Sequence, residues 1–195
     1  MKFTTATLAL LPLLAAATPT TQSADADANP PFSVMAVRSA SPIHFLQLNA
    51  AGQKFWLGGE TTTYCPDTVG QDCPPGKQTV LAPGGGALDT AVPGGQQVYV
   101  SADGALSFTQ AHSANIPPGS SLGPFEYLPA EPFAQYGFFG WGASGFMACP
   151  ADDNRWQVFA ALQNATVPHG DVSECLGFSA VATPYDGDVP AWQYI

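Results

Sequence analysis

The chain has 195 residues, with 5 Lys and Arg against 15 Asp and Glu, a formal net charge of −10. So acidic a balance excludes nucleic acid and anionic membrane as partners, because both demand a cationic surface. Only 10% of residues are charged, against about a quarter in ordinary domains, while 46% are hydrophobic, which excludes a disordered chain.

Residues 1–17 read as a secretory leader. Lys2 supplies the positive start, residues 7–16 a short apolar run, and Ala15-Ala16-Ala17 the small-x-small cleavage pattern. That run falls short of the roughly 20 residues needed to span a bilayer. A mature chain beginning near Thr18 keeps four basic residues, Arg38, Lys54, Lys77 and Arg155. Residues 18–31 are polar, bounded by proline and without periodicity, so a flexible arm is expected there. A single domain is expected over 32–195, with no C-terminal anchor tail after Ala191.

From Phe32 onward, short β-branched or aromatic runs alternate with clusters of Gly, Pro, Asn and Asp, the pattern of an all-β sandwich or barrel. Strands are expected at 32–39, 44–49, 54–58, 79–81, 87–90, 97–101, 106–110, 125–128, 137–140, 146–148, 156–161 and 178–182. A four-residue hairpin turn is expected at 49–52, a second turn at 101–104 with Gly104 at positive φ, and a third at 152–154. Scattered prolines and the lack of an i, i+3, i+4 stripe argue against helix. Gly52 to Leu57 is echoed by Gly95 to Val100 and more loosely by Arg155 to Phe159, which leaves a threefold trefoil as an alternative to a single antiparallel barrel or sandwich.

Four cysteines, Cys65, Cys73, Cys149 and Cys175, make an even set in a secreted chain and read as two disulfides. Three pairings are open; short loops close most readily, which favours Cys65–Cys73 with Cys149–Cys175. No spacing matches a zinc site, so no metal and no cofactor is expected. Asn164-Ala165-Thr166 is an N-glycosylation sequon in an expected exposed loop.

No residue set reads as a reaction centre, and no catalytic residue is assigned. His44, His112 and His169 sit beside a strand or in loops, and Gly142-Ala143-Ser144-Gly145 is one residue short of a nucleophile elbow. Glu60, Asp89, Glu126 and Glu131 are acids in turns with no evident pairing. Asp152-Asp153-Asn154 and Asp186-Gly187-Asp188 do not continue into a calcium ladder, and Gly84-Gly85-Gly86 is followed by no phosphate-binding Lys. The aromatics are numerous. Trp56 and Trp156 read as core, whereas Tyr136 and Trp141, flanked by glycines, are candidates for a sugar-stacking platform together with the loop after Leu57.

Three stretches carry a resemblance: Ser41-Pro42-Ile43-His44, Val100 to Phe108, and Ala148-Cys149-Pro150 followed by Trp156. They resemble a family of small secreted fungal proteins labelled IgE-binding, and more distantly the PhiA-type cell-wall proteins associated with phialide and conidium development. The resemblance covers 32–194. It implies an extracellular or wall-associated monomer with no catalytic chemistry, partnered by wall polysaccharide or wall proteins, and recognised by host IgE. The expectation is therefore a non-enzymatic secreted protein with a structural or polysaccharide-binding role. A small secreted hydrolase, or an effector binding a host protein, is the alternative.

Overall fold

Alternating side chains along short strands put one face of each strand in a core, and this pattern builds the molecule. A computed structural model describes residues 29–130 and 136–195. The leader, most of the arm and Glu131 lie outside the described residues. Within them the chain forms β1 (Phe32–Val37), β2 (Leu48–Ala51), β3 (Lys54–Leu57), β4 (Thr63–Tyr64), β5 (Ala87–Leu88), β6 (Gln96–Val100), β7 (Leu106–Phe108), β8 (Phe125–Leu128), β9 (Gly137–Trp141), β10 (Phe146–Pro150), β11 (Trp156–Ala160), β12 (Leu176–Pro184) and β13 (Gln193–Tyr194). Helix among the described residues is confined to 3-10 turns at Asp67–Asp72, Asp152–Asn154 and Val172–Glu174. The protein is all-β.

β12 organises the sheet. It pairs antiparallel with β1 from Phe32↔Pro184 to Val37↔Ser179, with β9 through Val181↔Phe138, and with β10 through Phe146↔Phe178. The order continues from β10 through β11, β3 and β7 to β6 and β5, with β8 beyond β9 and β2 on β3. Single bridges from Met35 to Gln47 and from Phe32 to Leu81 carry the sheet back onto β1. The result is one antiparallel sheet curled into a half-barrel.

The inner face is closely packed. Phe32, Phe55, Leu57, Val98, Phe108 and Val158 are fully buried there, each large side chain contributing about 1.5–3 kcal/mol. Phe125, Tyr127 and Phe139 line the same interior, with Tyr127 stacked 4.2 Å from Phe32. The Gly84-Gly85-Gly86 run finds its reason here. A Cβ on Gly85, which has φ +76°, would stand 2.2 Å from the Phe139 ring, so only glycine lets this turn close over the core.

β10 is buried on both faces. Its outward Met147 and Cys149 join Ala105 and Phe159 in a second cluster, covered by the segment 161–175 through Ala165, Val167 and Val172. The Cys149–Cys175 disulfide pins that segment to the sheet, and Cys65–Cys73 closes a separate loop around the first 3-10 turn. These are the two short-loop pairings.

The C-terminus locks the other end. The Tyr194 hydroxyl accepts the Val80 N–H at 3.1 Å and donates to the Gln78 carbonyl at 2.9 Å. The buried Gln96 side chain donates to the carbonyls of Thr109 and Tyr194 and accepts the Tyr194 N–H at 2.7 Å. Burial holds the Tyr194 phenol protonated well above the ordinary tyrosine range.

Several expectations need correction. The strand expected at 44–49 starts later: Ser41-Pro42 opens a turn that runs through Phe45, and regular pairing begins at Leu48. The hairpin turn is the two-residue Gly52-Gln53, both at positive φ, rather than 49–52. Residues 79–81 offer only the Leu81 bridge, while β4 and β13, two residues each, were not anticipated. The trefoil alternative is also set aside, because its three echoes fall on β3, β6 and β11 of one sheet, with β3 and β11 adjacent.

Candidate functional site

A water-facing side of an antiparallel sheet should carry polar residues, yet an apolar row crosses the outer face around β12 between Ser33, Ser179 and Thr183. On β1 the inward set is Phe32, Val34 and Ala36, which leaves Ser33, Met35 and Val37 facing out. The registers Met35↔Val181, Val181↔Phe138 and Phe138↔Leu128 then place four apolar side chains in one row across β1, β12, β9 and β8. Leu128 is 62% and Phe138 47% exposed, while Val181, at 5%, forms the floor between its neighbours. Tyr136 stands against Phe138 with ring centroids 6.4 Å apart and is 49% exposed.

The turn at 41–46 completes this surface. Ile43, fully buried, anchors it, and the Phe45 N–H donates to the Ala36 carbonyl at 2.8 Å. Phe45 is thereby held at φ +65°, a conformation costly for a bulky L residue, with 60% of its surface exposed. His44 stacks on Phe45 at 3.7 Å, and its Nδ1 accepts the Arg38 N–H at 3.1 Å. A cleft of about 380 Å³ lies among Met35, Phe45, Tyr136, Phe138 and Val181.

Met35 also borders a second, polar cleft of about 500 Å³, lined by Ser33, Gln47, Asn49, Gln78 and Thr183 with Lys77 at its edge. Asn49 and Lys77 continue into a third cleft of about 440 Å³ beside Glu60 and Thr61. The polar groups here are fixed. The Asn49 amide donates to the carbonyls of Gln47 and Gly59, both at 3.2 Å, and its oxygen accepts the Thr61 hydroxyl at 3.0 Å. Thr61 in turn meets Thr79 at 2.7 Å, and Thr79 accepts the Ala50 N–H. An apolar aromatic end and a prearranged amide and hydroxyl end therefore form one continuous surface. Such a surface can stack on flat apolar faces while the Ser33, Gln47, Gln78 and Thr183 side chains beside the fixed Asn49 network bond hydroxyl groups.

Of the two stacking candidates from the sequence, only Tyr136 is on this surface. Trp141 is buried, edge-on to Phe125 at 5.1 Å, and is withdrawn from the platform. The reason is parity: Gly137, Phe139 and Trp141 face inward along β9, and Phe138 faces out. Trp56, expected in the core, is instead half-buried on the outward side of β3 because Phe55 and Leu57 take the inward positions, and the Arg155 guanidinium lies 4.5 Å above its ring. Asn164 is exposed at the tip of the segment covering β10. The remaining titratable candidates do not converge. His112 borders a small cleft with Gly94 and Thr109, His169 pairs with the exposed Asp152 at 3.0 Å, Glu126 faces solvent on β8, and burial pushes the Asp89 carboxyl up. Among the described residues no group of three or more His, Cys, Asp and Glu side chains is placed to hold a metal.

The model of a family described as PhiA-like secreted proteins matches residues 32–195. An uncharacterized secreted protein of Arthroderma benhamiae is 47% identical over 201 residues, covering the whole of both chains. No solved structure matches the chain.

Proposed function

We propose, from the premise that this chain belongs to the PhiA-like secreted protein family, that it is a non-catalytic wall-associated protein that binds polysaccharide through its outer β1–β12–β9 face. The observation that carries the reading is the row of half-buried Met35 and exposed Phe138 and Leu128, with Phe45 and Tyr136, running into the polar Gln47–Asn49 cleft. Aromatic rings of this kind cover the C–H faces of a sugar, and the amides and hydroxyls beside them bond its oxygens. Lys77 and Glu60 are the charged side chains bordering these clefts, so a neutral polymer fits better than a charged one.

The test is retention of the recombinant protein on insoluble chitin, β-glucan or isolated fungal wall at low salt. Wild type should be held by at least one of these. The double variant Phe45→Ala, Phe138→Ala should lose about tenfold or more in affinity, about 1.4 kcal/mol, with unchanged thermal stability. Free passage of the wild type through all three would remove the reading.

We also propose that Asn164 is glycosylated in the native secreted protein, supported by its exposure in a turn of the segment stapled by Cys149–Cys175. Peptide-N-glycosidase treatment should lower the mass of the native protein, and Asn164→Gln should already have the lower mass. Recognition by host IgE rests on the sequence resemblance, and binding of patient IgE to the folded chain in an immunoassay tests it.

A further inference from the structure

A further cleft, about 430 Å³, lies among Pro42, Leu46, Gly58, Pro150, Arg155 and Trp156. Its walls are apolar apart from Asn154 and one cation, Arg155. In a chain of net charge −10 an arginine usually serves a carboxylate. This one has only a long, solvated pairing: its salt bridge is to Asp153 at 3.7 Å, and the Asp153 side chain is 84% exposed. The arginine is nonetheless held firmly. Its guanidinium lies 4.5 Å over Trp56, and the Trp56 indole is itself fixed by a 2.8 Å bond to the Ala51 carbonyl. The stem runs over Gly59, where a Cβ would stand only 2.8 Å from Arg155 Cδ. Asp153 and Asn154, consecutive residues at φ +59° and +56°, set the turn that delivers it. The buried Nε has no partner within the protein.

We infer that this cleft binds a carboxylate carried on a six-membered ring. The ring lies against Trp156 and the proline walls, while the carboxylate takes the free edge of the Arg155 fork. The geometry favours this class because a planar guanidinium bonds a carboxylate through two parallel N–H donors. A ring beside the carboxylate is required to fill the apolar walls, which a bare anion would leave wet. A hexuronic acid unit of an acidic polysaccharide and a free aromatic acid share this chemistry. The inference does not rest on the aromatic face described above.

Indole N–H signals of the tryptophans, followed by NMR during titration at constant ionic strength, decide it. Sodium glucuronate, sodium benzoate and glucose are the probes. A saturable shift of the Trp56 and Trp156 signals with an acid, and none with glucose, is the expected result. Saturation by glucuronate identifies the uronic acid source, and saturation by benzoate alone the aromatic acid. Arg155→Gln should weaken the response about tenfold or more, Arg155→Lys should restore part of it, and Phe45→Ala should leave it unchanged. The wild-type contrast between acid and glucose needs no variant to fold. A saturable shift with glucose as strong as with the acids, no saturable shift with either acid, or full affinity in a folded Arg155→Gln protein would overturn the inference.

Discussion

Replacing Tyr194 with alanine should cost about 5 kcal/mol or more, a large share of a domain's stability. The ring is 1% exposed and sits edge-on to Phe108 with centroids 6.5 Å apart, so truncation opens a core cavity worth about 3–5 kcal/mol. It also orphans the buried Val80 N–H, which costs about 1–3 kcal/mol more, and frees the Gln78 carbonyl of an exposed residue to water. Against a total margin of about 5–15 kcal/mol this is a third of the stability of the domain or more. Tyr194→Phe separates the two contributions. It keeps the ring and loses only the hydroxyl, so its cost should be about 1–3 kcal/mol. Urea unfolding of both variants, followed by tryptophan fluorescence, checks the pair; an alanine variant within about 1 kcal/mol of wild type would mean the C-terminal lock is dispensable.

Removing the Cys149–Cys175 bridge is the second large effect. The cysteines are 26 residues apart, and the loop they close restricts the unfolded chain by an amount worth about 3–4 kcal/mol. The same bridge holds the segment 161–175 over Met147 and Phe159, so the double alanine variant should expose that second cluster as well. Thermal unfolding should shift down by many degrees, and limited proteolysis should cut first within 161–175. The Cys65–Cys73 bridge spans 8 residues of exposed loop and borders no core cluster, so its removal should cost less, about 2–3 kcal/mol. Proteolysis that spared 161–175, or equal losses for the two bridges, would contradict this assignment.

The β class and the approximate position of the strands were legible because period-two burial and turn residues are local signals. β1 reads directly as Phe32, Val34 and Ala36 inward, and Gly104 takes the positive φ, +90°, that its turn required. What sequence missed depends on contacts distant along the chain. β4 and β13 are two residues each and exist because Thr63 and Tyr64 meet Tyr194 and Gln193 across the molecule. Gln96 looks like an ordinary polar strand residue, yet it is buried because Thr109 and Tyr194 together satisfy its amide.

The functional face was half visible. Tyr136 and Trp141 are five apart, so on one extended strand they must point to opposite sides, and a parity count would have replaced Trp141 with Phe138. Phe45 gave no such clue. Its exposure follows from a left-handed turn anchored by Ile43, and nothing in Ile-His-Phe distinguishes that turn from a strand except the Ser41-Pro42 before it. The trefoil alternative arose from a real likeness between β3 and β6, which both follow a glycine-rich turn and enter the same core.

The most direct test of the account is amide chemical-shift mapping of the 32–195 domain with soluble chitin and β-glucan oligosaccharides. At least one of them should perturb Met35, Phe45, Tyr136, Phe138 and Val181 together with Gln47 and Asn49, leaving the inner face of the half-barrel unmoved. Perturbations confined to other surfaces, or none with any wall oligosaccharide, would contradict it.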